Sequence, residues 1–447
     1  MQTYFTIIEA LGNFSRITSP ARCAARIGQA FSETPFAVPL GENKIVVTTI
    51  PDVRSPDGSR IFSDGVGTIS WDVMETIRDN LTQKKGSPTC FQIRLGGAKG
   101  MLAVDSRLSG SFIQLRPSMI KFDSEDMQDL GICDMASKPI LLVLNRQMIK
   151  ILEDMGVSDD WFFKLQNTEL ARLRGITANI HNTANFLKAQ NIGDSIRLHK
   201  LFRQCELLGI DCRKDEFLRS VVEAVVLREL RLLKHKARIP VKKGITLFGI
   251  MDETGFLQEK EVYVTFNTMD RYPPPPGPGR LLVTRSPALY DGDIQFANNV
   301  VPPKDHPLLE HRNCIVFSQK GNRDLPSQLS GGDLDGDLYN VIWDTDARPI
   351  QTFAPADYPR VSPIDIGRAV NVNDMADFFV DFMRTDHLGV IATRHMILAD
   401  QKEMGTRHPD CKKLAELHST AVDFSKTGIA VKMEELPRTT NNFRPDL

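Results

Sequence analysis

The chain has 447 residues, of which 41% are hydrophobic and 25% are charged, and its formal net charge is −1. This composition is typical of a globular protein with several domains, and without an apolar run of about 18 residues we expect no transmembrane helix. The seven cysteines include no C-x-x-C pair, which favours buried, reduced thiols over a disulfide framework or a zinc site. The N-terminal stretch lacks the basic region of a signal peptide, so we expect an intracellular protein of the cytoplasm or nucleus, with no membrane partner.

The first two regions of the chain have different sequence patterns. Residues 1–50 are mixed, because "SPARCAARIGQAFS" predicts a helix behind the Ser19-Pro20 start signal and "NKIVVTTI" predicts a strand. Residues 51–138 contain short apolar runs separated by glycine, namely "GVGTISW", "CFQIRL", "GMLAV" and "SFIQLR". Short apolar runs separated by glycines favour a compact β structure such as a barrel.

The remaining chain divides into three further regions. Residues 139–240 are predicted to be helical, since "PILLVLNRQMIKILEDMG" carries apolar residues at helical spacing and a second long amphipathic helix is ended by Pro240. Residues 241–350 again have the pattern of β-strands. A proline-rich stretch within them, Pro273 to Pro278, predicts an exposed polyproline-like loop. Residues 351–447 are predicted to be mainly helical.

Charge is distributed unevenly along the chain. From Lys84 to Lys121 there are seven basic residues and one acidic residue, whereas from Leu281 to Thr345 nine acidic residues accompany five basic ones. We predict that the two segments face each other across one site, with the basic side toward phosphate and the acidic side toward metal.

The acidic segment contains the motif "QLSGGDLDGDLYNVIWD", in which Asp333, Asp335 and Asp337 occupy alternate positions. Like charges this close repel each other by about 1 kcal/mol per pair even in water, so something must offset them. A calcium-binding EF-hand loop would need Gly at the sixth position and Glu at the twelfth, where this sequence has Leu338 and Asp344. The motif therefore argues against calcium sensing.

Two other interpretations of the aspartates remain. A phosphatase of the haloacid dehalogenase type has a similar D-x-D motif, but an apolar strand should precede its first aspartate, and here "LSGG" precedes Asp333. Alternatively, Asp333, Asp335 and Asp337 form a tight loop that holds one or two Mg²⁺ ions, for which carboxylate oxygens are suitable ligands. The glycines around the loop leave room for a sharp turn and for a substrate.

The motif and its neighbours resemble one known family. "GGDLDGDLYNVIWD" is similar to the catalytic loop of the eukaryotic cellular RNA-dependent RNA polymerases of RNA silencing. Further similar blocks occur in the family's order along essentially the whole chain: "FSDGVGTIS", "FQIRLGGAKGMLAVD", "LRPSMIKF", "LNRQMIKILEDMGV", "GIMDETGFL", "VTRSPALYDGDIQ", "HLGVIATRHMILAD" and "CKKLAELHSTAVDFSKTG". The resemblance implies an α+β fold with two double-psi β-barrels, an intervening helical region and a mainly helical C-terminal part. It also implies a truncated or catalytic-core-length member.

The resemblance further implies a function and a set of site residues. The implied activity is RNA-directed RNA polymerisation, in which NTPs are joined on a single-stranded RNA template to make double-stranded RNA for RNA interference, with Mg²⁺ or Mn²⁺ as cofactor and Dicer-like and Argonaute-like proteins as partners. The resemblance assigns metal binding and catalysis to three aspartates, catalysis to two lysines, and contact with NTP or RNA phosphates to two arginines: Asp333, Asp335, Asp337, Lys99, Lys121, Arg94 and Arg285. A catalytically silent RNA-binding remnant of the family is the alternative.

Overall fold

The computed structural model describes residues 3–81, 86–176, 178–189, 192–212, 214–268, 273–359, 361–441 and 443–445. Lys84 and Lys85 of the basic segment lie outside the described residues. All seven cysteines are free, and all except Cys133 are buried, as the sequence predicts for reduced thiols.

A mixed sheet forms the N-terminal half of the fold. Its elements are α1 (Tyr4–Leu11), α2 (Pro20–Ala30), β1 (Phe36–Pro39), β2 (Val46–Thr49), β3 (Val66–Ile69), α3 (Trp71–Asn80), β4 (Cys90–Leu95), β5 (Ala98–Val104), β6 (Phe112–Leu115) and β7 (Asp129–Met135). The strand order is β1-β7-β4-β5-β3-β6-β2, with parallel pairing in β2–β6 and β3–β5. In β4 the side chains of Phe91, Ile93 and Leu95 are buried and alternate with Gln92 and Arg94, which are only partly buried. One face of the strand therefore packs in the core while the other is available to the site.

A helical region follows, but it begins with a strand. Its elements are β8 (Ile140–Val143), α4 (Arg146–Asp154), α5 (Asp159–Ile176), α6 (Ile180–Ala189), α7 (Leu198–Leu207) and α8 (Glu216–Lys236). The prediction of helix from residue 139 is wrong for β8, because this short apolar run pairs with the next sheet. Helix α4 begins only after Asn145, whose side chain accepts a hydrogen bond from the backbone N–H of Met148.

A closed barrel follows the helices. Its elements are β9 (Pro240–Met251), β10 (Glu261–Thr265), β11 (Gly279–Arg285), β12 (Ile294–Asn299), β13 (Cys314–Phe317), α9 (Leu325–Gln328) and β14 (Leu338–Ile342). The order β13-β10-β12-β11-β14-β9 closes because β9 also pairs with β13, and β8 extends the sheet from β9. Closure leaves none of these six strands with an unpaired edge.

The proline-rich stretch is attached to this barrel. The prediction of an exposed loop is wrong for Pro276, which is buried. The side-chain amide of Asn299 donates hydrogen bonds of 2.9 Å to the carbonyl of Pro276 and 3.1 Å to that of Gly277. Proline carbonyls still accept hydrogen bonds, so a chain without N–H donors can be fixed in this way.

The C-terminal part is helical, as predicted. It contains α10 (Val372–Thr385), α11 (Leu388–Gln401), α12 (Pro409–Val422) and α13 (Phe424–Thr427). None of the helices in the described part of the chain is long and apolar enough to cross a membrane.

The first sheet has a core of its own, and a second hydrophobic cluster joins it to the closed barrel and fixes their relative position. Phe62, Val66 and Met101 of the first sheet region pack in the same cluster as the inward-facing residues of the closed barrel. A buried ion pair adds to this contact, because the guanidinium of Arg116 donates to both carboxylate oxygens of Glu253 at 2.9 Å. Any site formed between the sheets is therefore held by both apolar packing and a buried charge pair.

Candidate active site

The acidic loop connects α9 with β14 and is held by the barrel strands. Strand β14 pairs with β11, which places Tyr339 opposite Arg285. The Tyr339 hydroxyl donates to the backbone carbonyl of Asp333 at 2.6 Å, and a Cβ atom at Gly332 would lie 2.7 Å from that hydroxyl oxygen. The loop backbone thus lies too close to the β14 side chain for any residue larger than glycine at position 332.

The first sheet approaches the loop from the other side. Gly65 has a φ of +86°, and a Cβ atom there would lie 2.4 Å from Cβ of Asp335. Likewise, Gly336 has a φ of +130°, and its Cβ would lie 2.1 Å from Nε2 of Gln92 on β4. These two glycines allow the sheets to meet at the loop, and an alanine at either position would combine backbone strain with a steric clash.

Each of the last two aspartates is paired with a basic side chain. Nζ of Lys99 on β5 lies 2.6 Å from Oδ2 of Asp335, and the two side chains are 22% and 23% exposed. Arg285 at the end of β11 binds Asp337 in a bidentate way, with distances of 2.6 and 2.9 Å. The structure therefore joins the basic and acidic segments through Lys99 and Asp335.

The first aspartate has no basic partner among the described residues. Its Oδ1 accepts a hydrogen bond of 3.1 Å from the backbone N–H of Asp335, and its own N–H donates to Asp337 at 2.9 Å. Burial, followed by the charges of Asp335, Asp337 and Asp64, raises the pKa of Asp333 well above its usual value. In contrast, burial opposes ionisation of Asp335, but the charge and hydrogen bond of Lys99 hold the pKa of Asp335 below its usual value.

The second predicted lysine also lies in this site. The ammonium group of Lys121 donates to the carbonyl of Ser118, and its backbone N–H donates to Gly97 in the turn before Lys99. Burial lowers the pKa of Lys121, although the charges of Asp64 and Asp335 act in the opposite direction. Lys99 and Lys121 therefore approach Asp335 together.

Arg94 is placed differently from Arg285. Nε of Arg94 donates to the hydroxyl of Ser32 at 3.3 Å, and its Nη1 donates to the carbonyl of Ile93 at 2.8 Å. No hydrogen bond or ion pair in the described part of the chain connects Arg94 with the acidic loop. Its predicted contact with substrate phosphates stays a prediction.

The donor chemistry of the loop fits a hard divalent cation, since three carboxylates lie within five positions and a fourth acid, Asp64, acts on Asp333. The carboxylates are not preassembled as a ligand set, however. Among the described residues no group of three or more His, Cys, Asp or Glu side chains is arranged to hold a metal. The ion pairs of Lys99 and Arg285 take up two of the carboxylates instead, so a metal would have to compete with them.

Comparison with known proteins places this site in a family. The sequence profile of the family described as RNA dependent RNA polymerase matches residues 1–447. The chain belongs to the RNA-dependent RNA polymerase family. One curated relative is the probable RNA-dependent RNA polymerase 2 of Oryza sativa subsp. japonica, which is 34% identical over 96% of this chain and 38% of the relative. Another is the RNA-dependent RNA polymerase 1 of Schizosaccharomyces pombe, which is 29% identical over 96% of this chain and 37% of the relative. The chain thus spans less than two fifths of the length of these relatives.

A solved structure of the RNA-dependent RNA polymerase family also matches. It is the RNA dependent RNA polymerase QDE-1 from Thielavia terrestris, with a TM-score of 0.77 and 22% identity, over 97% of this chain and 52% of that chain. This similarity confirms the predicted α+β fold class with two barrels.

Sequence reasoning did not assign two residues that the structure places beside the acidic loop. The carbonyl of Asp64 accepts a hydrogen bond of 2.9 Å from Leu334, and Nε2 of Gln92 donates to the carbonyl of Asp335 at 3.4 Å. Both belong to blocks that carry the family resemblance, "FSDGVGTIS" and "FQIRLGGAKGMLAVD". An acidic residue between small residues in the first of these blocks was the available signal.

Proposed function

We propose that this chain carries the RNA-synthesising site of an RNA-directed RNA polymerase, which adds nucleotides from NTPs to RNA on a single-stranded RNA template and makes double-stranded RNA. The observation that carries the proposal is the ion pair between Lys99 and Asp335. It brings a basic strand of one sheet to the acidic loop of the other, so cations for phosphate and carboxylates for metal lie in one place. Membership of the family supports the same class of reaction.

The proposed reaction is attack of a 3′-hydroxyl, or of an initiating nucleotide, on the α-phosphate of an NTP, with release of pyrophosphate. Negative charge on the phosphoryl oxygens has to be stabilised, and most of the catalysis is positioning and electrostatics. Lys99 and Lys121 would act as point charges on these oxygens. Arg285 pairs with Asp337 in this structure, and we propose that Arg285 and Arg94 contact the phosphates of the NTP or of the RNA.

Asp333, Asp335 and Asp337 would hold Mg²⁺ or Mn²⁺. When bound, the ion would supply charge neutralisation and activation of the attacking hydroxyl. Lys99 would then be released from Asp335 and become free to bind phosphate. The raised pKa of Asp333 supports this assignment, because burial and like charges around a carboxylate are offset when a cation binds.

The biological setting belongs to the proposal as well. The resemblance implies RNA interference in the cytoplasm or nucleus, with Dicer-like and Argonaute-like partners. We also propose the division at residues 50, 138, 240 and 350, with the two barrels built mainly from 51–138 and 241–350, although β1 and β2 join the first sheet from the preceding segment and β8 joins the second from the helical region.

Primer extension tests the function directly. The chain is incubated with a primed single-stranded RNA, Mg²⁺ and labelled NTPs, and we expect template-dependent extension that Asp335→Ala abolishes. Asp126→Ala removes an exposed acid elsewhere in the first sheet region and should leave extension unchanged. RNA binding without incorporation would instead favour the silent remnant. A phosphatase would hydrolyse a small phosphomonoester and lose that activity on Asp333→Ala.

A further inference from the structure

Arg26 on helix α2 is a cation with no matching anion among the residues that the structure describes. The helix is fixed beside the basic strand, because the buried side chain of Gln29 donates to the carbonyl of Gly97 at 3.2 Å, two residues before Lys99. The helix contributes a second arginine, Arg22, one turn earlier, but that residue is exposed. Arg26 is therefore the arginine of α2 that approaches the site.

The hydrogen bonds of Arg26 are incomplete. The Nε atom is buried and has no hydrogen-bond partner within the described part of the chain. The guanidinium makes a single long contact, from Nη1 to Oε1 of Gln29 at 3.5 Å, and no carboxylate in the described part of the chain forms an ion pair with it. The edge formed by Nε and Nη2 therefore has no hydrogen-bond partner among the described residues, and its Nε is closed to solvent in this structure. This edge is the part of a guanidinium that binds two oxygens of one anion.

The electrostatics indicate what kind of anion this edge would bind. Burial and the charge of Arg22 lower the pKa of Arg26, whereas Asp335 raises it, which shows that Arg26 lies within the field of the acidic loop. Burial, and to a smaller extent the charges of Lys99 and Arg26, lower the pKa of Lys121, while the charges of Asp64 and Asp335 act in the opposite direction. Lys99 and Arg26 thus both repel Lys121, and all three cations interact with Asp335. A group with several negative oxygens, such as phosphate, would relieve the repulsion and provide the missing hydrogen-bond partners.

We propose that Arg26 is a phosphate-binding residue of this site, whose guanidinium binds a phosphate of the incoming nucleotide or of the RNA. The inference rests on the proposed function, since it names a ligand contact within the same site. An unpaired, partly buried charge costs stability in the free protein, so Arg26 is expected to contribute to ligand binding and not to folding.

The test compares Arg26→Gln with Arg22→Gln, the matched control on the exposed side of the same helix. We measure the apparent KM for NTP and kcat in primer extension, the Kd for single-stranded RNA without NTP, and the unfolding midpoint. If Arg26 binds the triphosphate, its replacement raises KM for NTP about tenfold or more, changes kcat less and leaves the RNA Kd within about twofold. If it binds RNA phosphate, the RNA Kd rises about tenfold and depends less steeply on salt. Arg26→Lys keeps the charge but not the fork and should lie between wild type and Arg26→Gln.

Two results would overturn the inference. One is a KM and an RNA Kd that change no more than in Arg22→Gln. The other is a lowered unfolding midpoint in Arg26→Gln that accompanies the loss of binding, which would indicate a structural role. If the wild-type chain makes no RNA, the proposed function fails on its own, and equilibrium binding of ATP to wild type and Arg26→Gln still decides whether Arg26 binds phosphate.

Discussion

Replacement of Glu253 tests how the two halves of the site are held together. Its partner Arg116 is 2% exposed and donates four hydrogen bonds, two to the Glu253 carboxylate at 2.9 Å and the others to the carbonyls of Pro51 at 3.1 Å and Val66 at 2.8 Å. Glu253→Ala would leave a buried guanidinium without a counter-charge, which costs about 3–5 kcal/mol. Glu253→Gln keeps an acceptor oxygen and should cost less.

Urea unfolding followed by tryptophan fluorescence measures this cost. With a slope of about 3 kcal/mol per M, Glu253→Ala should lower the unfolding midpoint by about 1 M or more. Glu125→Ala removes an exposed carboxylate from the first sheet region and serves as the control, with a midpoint close to wild type. RNA synthesis should fall in Glu253→Ala even in the folded protein, because Arg116 lies two residues before Ser118, whose carbonyl binds Lys121. A Glu253→Ala midpoint equal to that of the control would refute the reasoning.

Two further predictions concern the side chains of Tyr358 and His395. The Tyr358 hydroxyl donates to the buried carboxylate of Asp293, so Tyr358→Phe should lower the free energy of unfolding in urea by about 1–3 kcal/mol. A Cβ atom at Gly331 of the acidic loop would lie 3.2 Å from the Tyr358 ring, so the same substitution should also slow RNA synthesis. Unchanged stability and synthesis would contradict this role. Burial, together with the charge of His418, lowers the pKa of His395 to about 4. The unfolded chain therefore binds the proton first, so His395 by itself should account for a loss of about 2 kcal/mol of unfolding free energy between pH 7 and pH 5, and the loss in His395→Leu should be smaller than in wild type by about that amount. Equal acid sensitivity of the two proteins would show that His395 is not responsible.

Local sequence patterns predict much of this fold because they reflect short-range physics. Helix α2 begins at Pro20 behind the Ser19 cap, and the glycine-separated apolar runs form strands β3 to β6. The run at Ile140–Val143 fits helix and strand equally, and only its pairing with β9 decides between them. Closure of the barrel also depends on pairing between distant segments, which no local pattern contains.

In the candidate site, too, some features follow from local sequence motifs and others only from contacts between distant segments. The acidic loop and Lys99 were predicted from motifs, and the structure joins them through the pair with Asp335. The contacts of Arg94 with Ser32, and the approach of Asp64 to the loop, depend on how α2 and the first sheet pack. Such packing brings together residues that are far apart in sequence, and a reading along the chain does not show it.

The central claim is that Lys99 of one sheet and Asp335 of the other form one catalytic unit. Incorporation of a single labelled nucleotide on an RNA template, measured for wild type, Lys99→Ala, Asp335→Ala and the double variant, tests this claim most directly. Residues that act as a unit give losses that do not add, so the double variant should be about as slow as Asp335→Ala alone. If the two losses multiply instead, or if Asp335→Ala incorporates as fast as wild type, the account of a single site between the sheets is contradicted.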